Sequence, residues 1–204
     1  LLDQLQAYPF ERLRQLFSGV SPNPAYSPIS LGIGEPQHPT PPLVLDELVR
    51  GFPRLREYPP TLGDARLREA CATWLGRRYG VKVSASTQVL PVNGSREALF
   101  ALAQTVVDPH AKGYVLSPNP FYQIYEGAAL LSGAQPHFVA LQRQGRFQQD
   151  WESVPESVWQ KAQLVFVCSP SNPTGAVMGL DEWRHLFALS DRHGFVIASD
   201  ECYS

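Results

Sequence analysis

Three stretches of the chain combine residue types that hold anions or flat polar rings: Asn93-Gly-Ser-Arg96, Ser169-Pro-Ser-Asn-Pro-Thr-Gly175 and Asp200-Glu-Cys-Tyr203. In the first, Gly94 permits a tight turn and Ser95 and Arg96 open a helical stretch. Free N–H groups at a helix start, aided by the helix dipole, attract a phosphate, and a serine hydroxyl adds a hydrogen bond. The same turn also reads as an ordinary cap, with Ser95 capping the helix and a glutamate close behind. It is not a P-loop, because the GxxxxGK[ST] spacing is absent. In the second stretch two prolines fix the chain around Asn172, which offers both a donor and an acceptor. A merely rigid turn would look alike. In the third, Asp200 directly follows the apolar run Phe195 to Ser199. A carboxylate there is costly unless paired. Either a protonated ring nitrogen of a cofactor or a distant arginine would serve. A fourth segment, Asn119-Pro-Phe-Tyr-Gln123, offers Tyr122 to a flat ring, or Phe121 and Tyr122 to the core.

These segments need a frame that brings them to one place. Pro9 to Phe17 reads as a short helix within an irregular stretch of residues 1–42, where Ile29 to Gly34 reads as a short strand ending in glycines. Leu43 to Arg50 has helical character. Asp64 to Tyr79 is a clearer helix, started by Asp64 and stopped by Gly80, with Trp74 on its apolar face and expected in a core. Strands and helices then alternate: strand Gln88 to Val92, helix Ser95 to Val107, strand Gly113 to Ser117, helix Tyr122 to Leu131, strand Pro136 to Leu141, strand Leu164 to Cys168, helix Leu180 to His193, strand Phe195 to Ser199. Short apolar runs between amphipathic helices indicate strands buried on both faces of a mostly parallel sheet. Ligands bind such a sheet beyond the carboxyl ends of its strands, and all four chemical segments follow strands.

Composition narrows the class. The chain has 204 residues, 44% hydrophobic and 18% charged, with net charge -2, as in ordinary globular proteins. No basic block suggests a nucleic-acid groove. No apolar stretch approaches the roughly 20 residues that cross a bilayer. The N-terminal residues show no secretion signal. Cys71, Cys168 and Cys202 form no CxxC pair, and the histidines no HExxH spacing, so neither a metal site nor a disulfide framework is expected. A reducing, cytoplasmic setting fits.

Taken in order along the chain, Leu31-Gly-Ile-Gly-Glu-Pro36, Tyr58 with Gly63, Asn93-Gly-Ser-Arg96, Pro120-Phe-Tyr122, Ser171-Asn-Pro-Thr-Gly175 and Asp200-Glu-Cys-Tyr203 resemble the fold-type I aminotransferases, classes I and II. A narrower likeness, to members that transaminate a succinylated diamino acid in bacterial lysine synthesis, rests on Tyr8-Pro-Phe-Glu-Arg-Leu-Arg14, Asn119 to Gly127 and Val165-Phe-Val-Cys-Ser-Pro170. The resemblance implies a three-layer αβα fold of the aspartate aminotransferase-like kind with pyridoxal 5'-phosphate as cofactor. It implies residues 1–42 as an arm or part of the small domain, and 43–204 as the first part of the large cofactor-binding domain. Asp200 resembles the partner of the pyridine nitrogen, which keeps the ring an electron sink. Asn172 and Tyr203 resemble the pair bonding the ring's 3' oxygen, Tyr122 the stacked aromatic, and Gly94, Ser95 and Arg96 the phosphate cup. Tyr58 resembles the tyrosine reaching a neighbouring subunit's phosphate, which implies a homodimer. Gly34, with Asn172, is expected against the substrate, an amino donor or a 2-oxo acid.

The family's cofactor-holding lysine lies beyond the Asp-x-x-Tyr motif, so the chain is expected to be truncated before it and before the small domain. Lys112 and Lys161 precede strands and belong at the opposite edge from the site, and Lys82 is also not expected to substitute. A Cβ–S lyase on the same scaffold and a non-catalytic ligand-binding module are the competing readings.

Overall fold

Val115, Leu164 and Phe166 face one side of a sheet, and Leu116, Val165 and Val167 the other, because successive strand side chains point to opposite faces. Both sides are covered, so apolar residues run continuously rather than alternating with polar ones. The structure is a computed structural model and describes residues 2–29, 31–142 and 146–204. Its chain divides into two units, Ala7–Pro91 and Val92–Ser204, the latter including the short turn Leu2–Gln4.

The first unit holds helices α1 (Pro9–Phe17), α2 (Pro42–Gly51) and α3 (Ala65–Tyr79). Proline at the first turn starts α1 and α2, where a missing N–H costs nothing. Asp64 caps α3 by accepting from the Arg66 N–H at 2.8 Å, and Gly80 ends it with φ 70°. No described residue of this unit is buried. Trp74, expected in a core, is 49% exposed, with its ring at an edge-on angle to that of Tyr79, 5.6 Å between centroids. An apolar helical stripe becomes core only when another element covers it. Two expected strands are also absent here. Gln88 to Val92 runs without a ladder, because no described strand lies beside it to share backbone hydrogen bonds. Ile29 to Gly34 includes Ser30, which lies outside the described residues, and its other members form no strand.

The second unit holds α4 (Ser95–Val106), β1 (Tyr114–Asn119), α5 (Gln123–Leu131), β2 (Gln135–Gln142), β3 (Gln148–Gln149), α6 (Glu156–Trp159), β4 (Ala162–Cys168), α7 (Leu180–His193) and β5 (Val196–Asp200). The sheet order is β3-β2-β1-β4-β5, parallel except for the antiparallel β2–β3 pair. The pieces β3 and α6 carry too few residues to show a period. Residues of α4 and α5 pack on one face of the sheet with Leu164, Phe166 and Ala198. Trp159 of α6 and Leu186 of α7 pack on the other with Val165 and Val167. Each such side chain contributes about 1.5–3 kcal/mol when fully buried. The edge strand β5 is less covered than the apolar run Phe195 to Ser199 suggested. Val196 is exposed there, and among the described strands β5 pairs only with β4. Among the described residues no helix is long and apolar enough to cross a membrane.

Candidate functional site

The register of the sheet sets Cys168, the last residue of β4, beside Asp200, the last residue of β5. The loops after both strands therefore leave the sheet side by side. Asn172 from one loop donates its Nδ2 hydrogen to the Tyr203 hydroxyl of the other at 2.9 Å. The Asn172 loop is tied internally by Ser171 N–H to Ala176 O (2.8 Å) and Gly175 N–H to Ser171 O (2.7 Å). It is anchored below by the Met178 N–H bond to Ser169 Oγ at 3.1 Å. The peptide bonds before Pro170 and Pro173 are cis. Asn172 and Tyr203 are exposed, so their polar groups face solvent while holding each other.

Asp200 is 8% exposed. Its Oδ2 accepts from the Tyr125 hydroxyl at 2.8 Å, and its Oδ1 from the Cys202 N–H at 3.3 Å. Among the described residues it joins no ion pair. No arginine among the described residues therefore pairs with it. Neutral donors satisfy part of the carboxylate instead, which leaves acceptor capacity on both oxygens. Burial, and then the Asp200 hydrogen bond, push the Tyr125 phenol far above its usual range, so it remains a donor. Partial loss of water, and then the Asp200 charge, raise the Cys202 thiol to about 11. Burial likewise raises Cys168, whose thiol donates to Pro170 O at 3.3 Å.

Gly94, not Ser95, is the N-cap of α4, with φ 123° and no side-chain cap. The reading of Ser95 as the capping residue is therefore corrected: Ser95 is already the first helical residue, and its hydroxyl does not close the helix start. An added Cβ on Gly94 would lie 3.0 Å from Glu97 Oε2, and that φ is a region L residues rarely adopt. Ser95 and Arg96 are exposed, and among the described residues Arg96 forms no ion pair. Tyr122 precedes α5 as its N-cap residue and sets its ring edge-on to Tyr125, 5.8 Å between centroids. Gly34 and Tyr58 belong to the other unit, where Tyr58 is fully exposed.

Sequence reasoning assigned no role to Tyr125. A signal existed: Tyr125 lies three residues after Tyr122, so the two share a helical face. Lys112 sits two residues before β1 and Lys161 directly before β4, at the amino ends of the strands. Lys161 O accepts the Tyr114 N–H there, at 2.9 Å.

A three-layer sheet of this order, with its polar loops at the strands' carboxyl ends, is that of the aspartate aminotransferase-like transferases. The aminotransferase class I and II family model matches residues 26–204, and the chain belongs to that family. Pyridoxal 5'-phosphate is the cofactor of this family. An LL-diaminopimelate aminotransferase of Dehalococcoides mccartyi is 36% identical over 178 residues, 86% of this chain and 45% of that protein. An aminotransferase structure from Neisseria meningitidis aligns with TM-score 0.94 and 51% identity, over 100% of this chain and 52% of that one. An N-succinyldiaminopimelate aminotransferase from Mycobacterium tuberculosis aligns with TM-score 0.73 and 30% identity, over 85% of this chain and 45% of that one. The chain thus spans about half the length of the relatives it matches.

Proposed function

We propose that the full-length protein is a pyridoxal-phosphate-dependent aminotransferase. It would move an amino group from N-succinyl-LL-2,6-diaminopimelate to 2-oxoglutarate in two half-reactions. The observation that carries the reading is Asp200: a buried carboxylate without an ion pair among the described residues, held by two neutral donors at the end of a parallel strand. A protonated pyridine nitrogen suits that environment, since it brings the missing cation. Two further features suit the same group. Asn172 and Tyr203 present a mutually bonded amide and phenol at the adjacent loop, and the start of α4 has no side-chain cap at Gly94.

The cofactor, when bound, supplies an electron sink for the negative charge that develops at the substrate α-carbon. Asp200 would hold the proton on the ring nitrogen. Asn172 and Tyr203 would hydrogen-bond the ring's 3' oxygen, and Tyr122 would cover a ring face. Gly94, Ser95 and Arg96 would bind the phosphate through backbone N–H groups, a hydroxyl and a guanidinium. Gly34, with Asn172, would border the substrate. Tyr58 would reach the phosphate of a second subunit in a cytoplasmic homodimer. Residues 43–204 would form the first part of the large domain, with 1–42 as an arm.

The substrate rests on the motifs in Asn119 to Gly127 and Val165 to Pro170 and on the likeness to the mycobacterial structure. The unsuccinylated diamino acid is a second reading, favoured by the 36% identity to an LL-diaminopimelate aminotransferase. The test is a panel of amino donors with the purified full-length protein, together with its intact mass before and after borohydride. Turnover of the succinylated donor and a gain of one cofactor mass, fixed to neither Lys112 nor Lys161, are expected. Turnover of the free diamino acid alone would transfer the assignment to the second reading. Absence of any cofactor adduct would sink both.

A further inference from the structure

Asp200 has two described hydrogen-bond donors, and they are unequal. The backbone bond from Cys202 is long at 3.3 Å, whereas the Tyr125 hydroxyl bond is 2.8 Å. The terminal torsion of an aspartate is broad, so something must choose the direction its carboxylate faces. Tyr125 is built to choose it. It is the third residue of α5 and 1% exposed. Its ring lies parallel to Phe166 of β4, 4.6 Å between centroids and 13° between planes. The edge contact with Tyr122, at 5.8 Å and 88°, closes another side. A ring packed this way holds its hydroxyl at one point. A donor locked by its own packing is what keeps a functional group aimed.

We propose that Tyr125 is a positioning residue for the cofactor site: its hydroxyl fixes the rotation of the Asp200 carboxylate, and so the direction in which the remaining lone pairs meet a ring nitrogen. This inference rests on the aminotransferase reading above. It separates two jobs on one helical turn, with Tyr122 at the ring face and Tyr125 behind the carboxylate. The distance in sequence between Tyr125 and Asp200 hides the relation from any motif. The phenol, held above its usual range by burial, stays a donor across the working pH.

The test uses full-length protein in four forms: wild type, Tyr125→Phe, Asp200→Asn and the double variant. The readouts are the dissociation constant of pyridoxal phosphate and the pH midpoint of the bound cofactor's visible band. In Tyr125→Phe the dissociation constant should rise about tenfold, as expected for a lost hydrogen bond to a charged group. The midpoint should move by about half a pH unit or more. The same substitution in the Asp200→Asn background should move neither, because its effect passes through the carboxylate. Leu186→Ala, which opens a cavity in the core on the other face of the sheet and leaves Tyr125 packed on Phe166, should lower thermal stability and leave the midpoint in place. If Tyr125→Phe does not accumulate folded, a difluorotyrosine placed at position 125 decides, since its more acidic hydroxyl must also shift the midpoint. An unmoved midpoint in either variant overturns the proposal, as does an equal shift with and without Asp200. A wild-type protein with no visible band defeats the aminotransferase reading itself and this inference with it. A normal wild-type band with an indifferent Tyr125→Phe defeats this inference alone.

Discussion

At the amino ends of the central strands the polar groups are spent on one another. Asp108 N–H donates to Gln163 Oε1 at 2.7 Å and Gln163 Nε2 donates to Asp108 O at 3.1 Å, and Gly113 approaches Lys161 so closely that a Cβ would sit 2.5 Å from its carbonyl oxygen. At the carboxyl ends the groups are only partly spent. Asp200 keeps acceptor capacity, Asn172 and Tyr203 hold each other in solvent, and Gly94 leaves a helix start without a side-chain cap. The same strands thus end in a closed edge and an open one. Backbone geometry explains the asymmetry: parallel strands followed by helices bring helix starts and loops together at one edge. On the proposed reading, the closed edge serves stability and the open edge serves binding.

The largest effect should come from Asp200→Asn. Removing a preorganised charge should cost full-length turnover about 10²–10³-fold while urea unfolding changes little, since a neutral isostere lightens the burden of a buried charge. A variant that unfolds in proportion to its lost activity would break the contrast. Next comes Gly113→Ala at the closed edge, where a Cβ has no room. A stability loss of about 1–3 kcal/mol is expected in urea unfolding, with kcat per folded molecule kept. Lost kcat at full stability would show that the closed edge also serves function. Gly94→Ala should cost about 1–2 kcal/mol of backbone strain and should weaken cofactor binding more than it slows turnover at saturation, read by titration with pyridoxal phosphate. The smallest effect concerns Cys202. Its thiol is exposed but raised to about 11, so less thiolate is present at pH 8 than for an unperturbed cysteine. Peptide-resolved alkylation of cofactor-free protein should be slow at pH 8 and rise through an inflection near 11. Fast alkylation at pH 8 would mean that neither the partial loss of water nor the Asp200 charge raises the thiol.

Much of the second unit was legible in the sequence because its signals are local. Apolar runs such as Leu164 to Cys168 declared buried strands, and Asp108-Pro109, Gly133 and Gly194 marked the helix ends. The first unit was legible as helices and not as a core. The apolar stripe of α3 was real, but whether Trp74 is buried depends on what covers it. Gln88 to Val92 failed as a strand for the related reason that strand residues alone cannot supply a ladder. The edges of the site followed the same division. Asp200, Asn172 and Tyr203 stand out by type and by position after strands, while Tyr125 looks like one more aromatic in an apolar helix.

The sequence by itself determined the order of the longer strands and helices of the second unit, the loops that carry polar residues, and the family to which the chain belongs. These are short-range properties, fixed by periodicity, helix stops and motif spacing. Only the tertiary structure decided that β4 and β5 are neighbours and that Asn172 therefore meets Tyr203. It also decided that Gly94 rather than Ser95 caps α4, and that the partner of Asp200 is a phenol 75 residues earlier. A buried carboxylate needs a donor from somewhere in the chain, and local spacing cannot say where. Which side chain arrives is settled by how α5 packs on β4, where Tyr125 lies flat against Phe166 and its hydroxyl reaches β5.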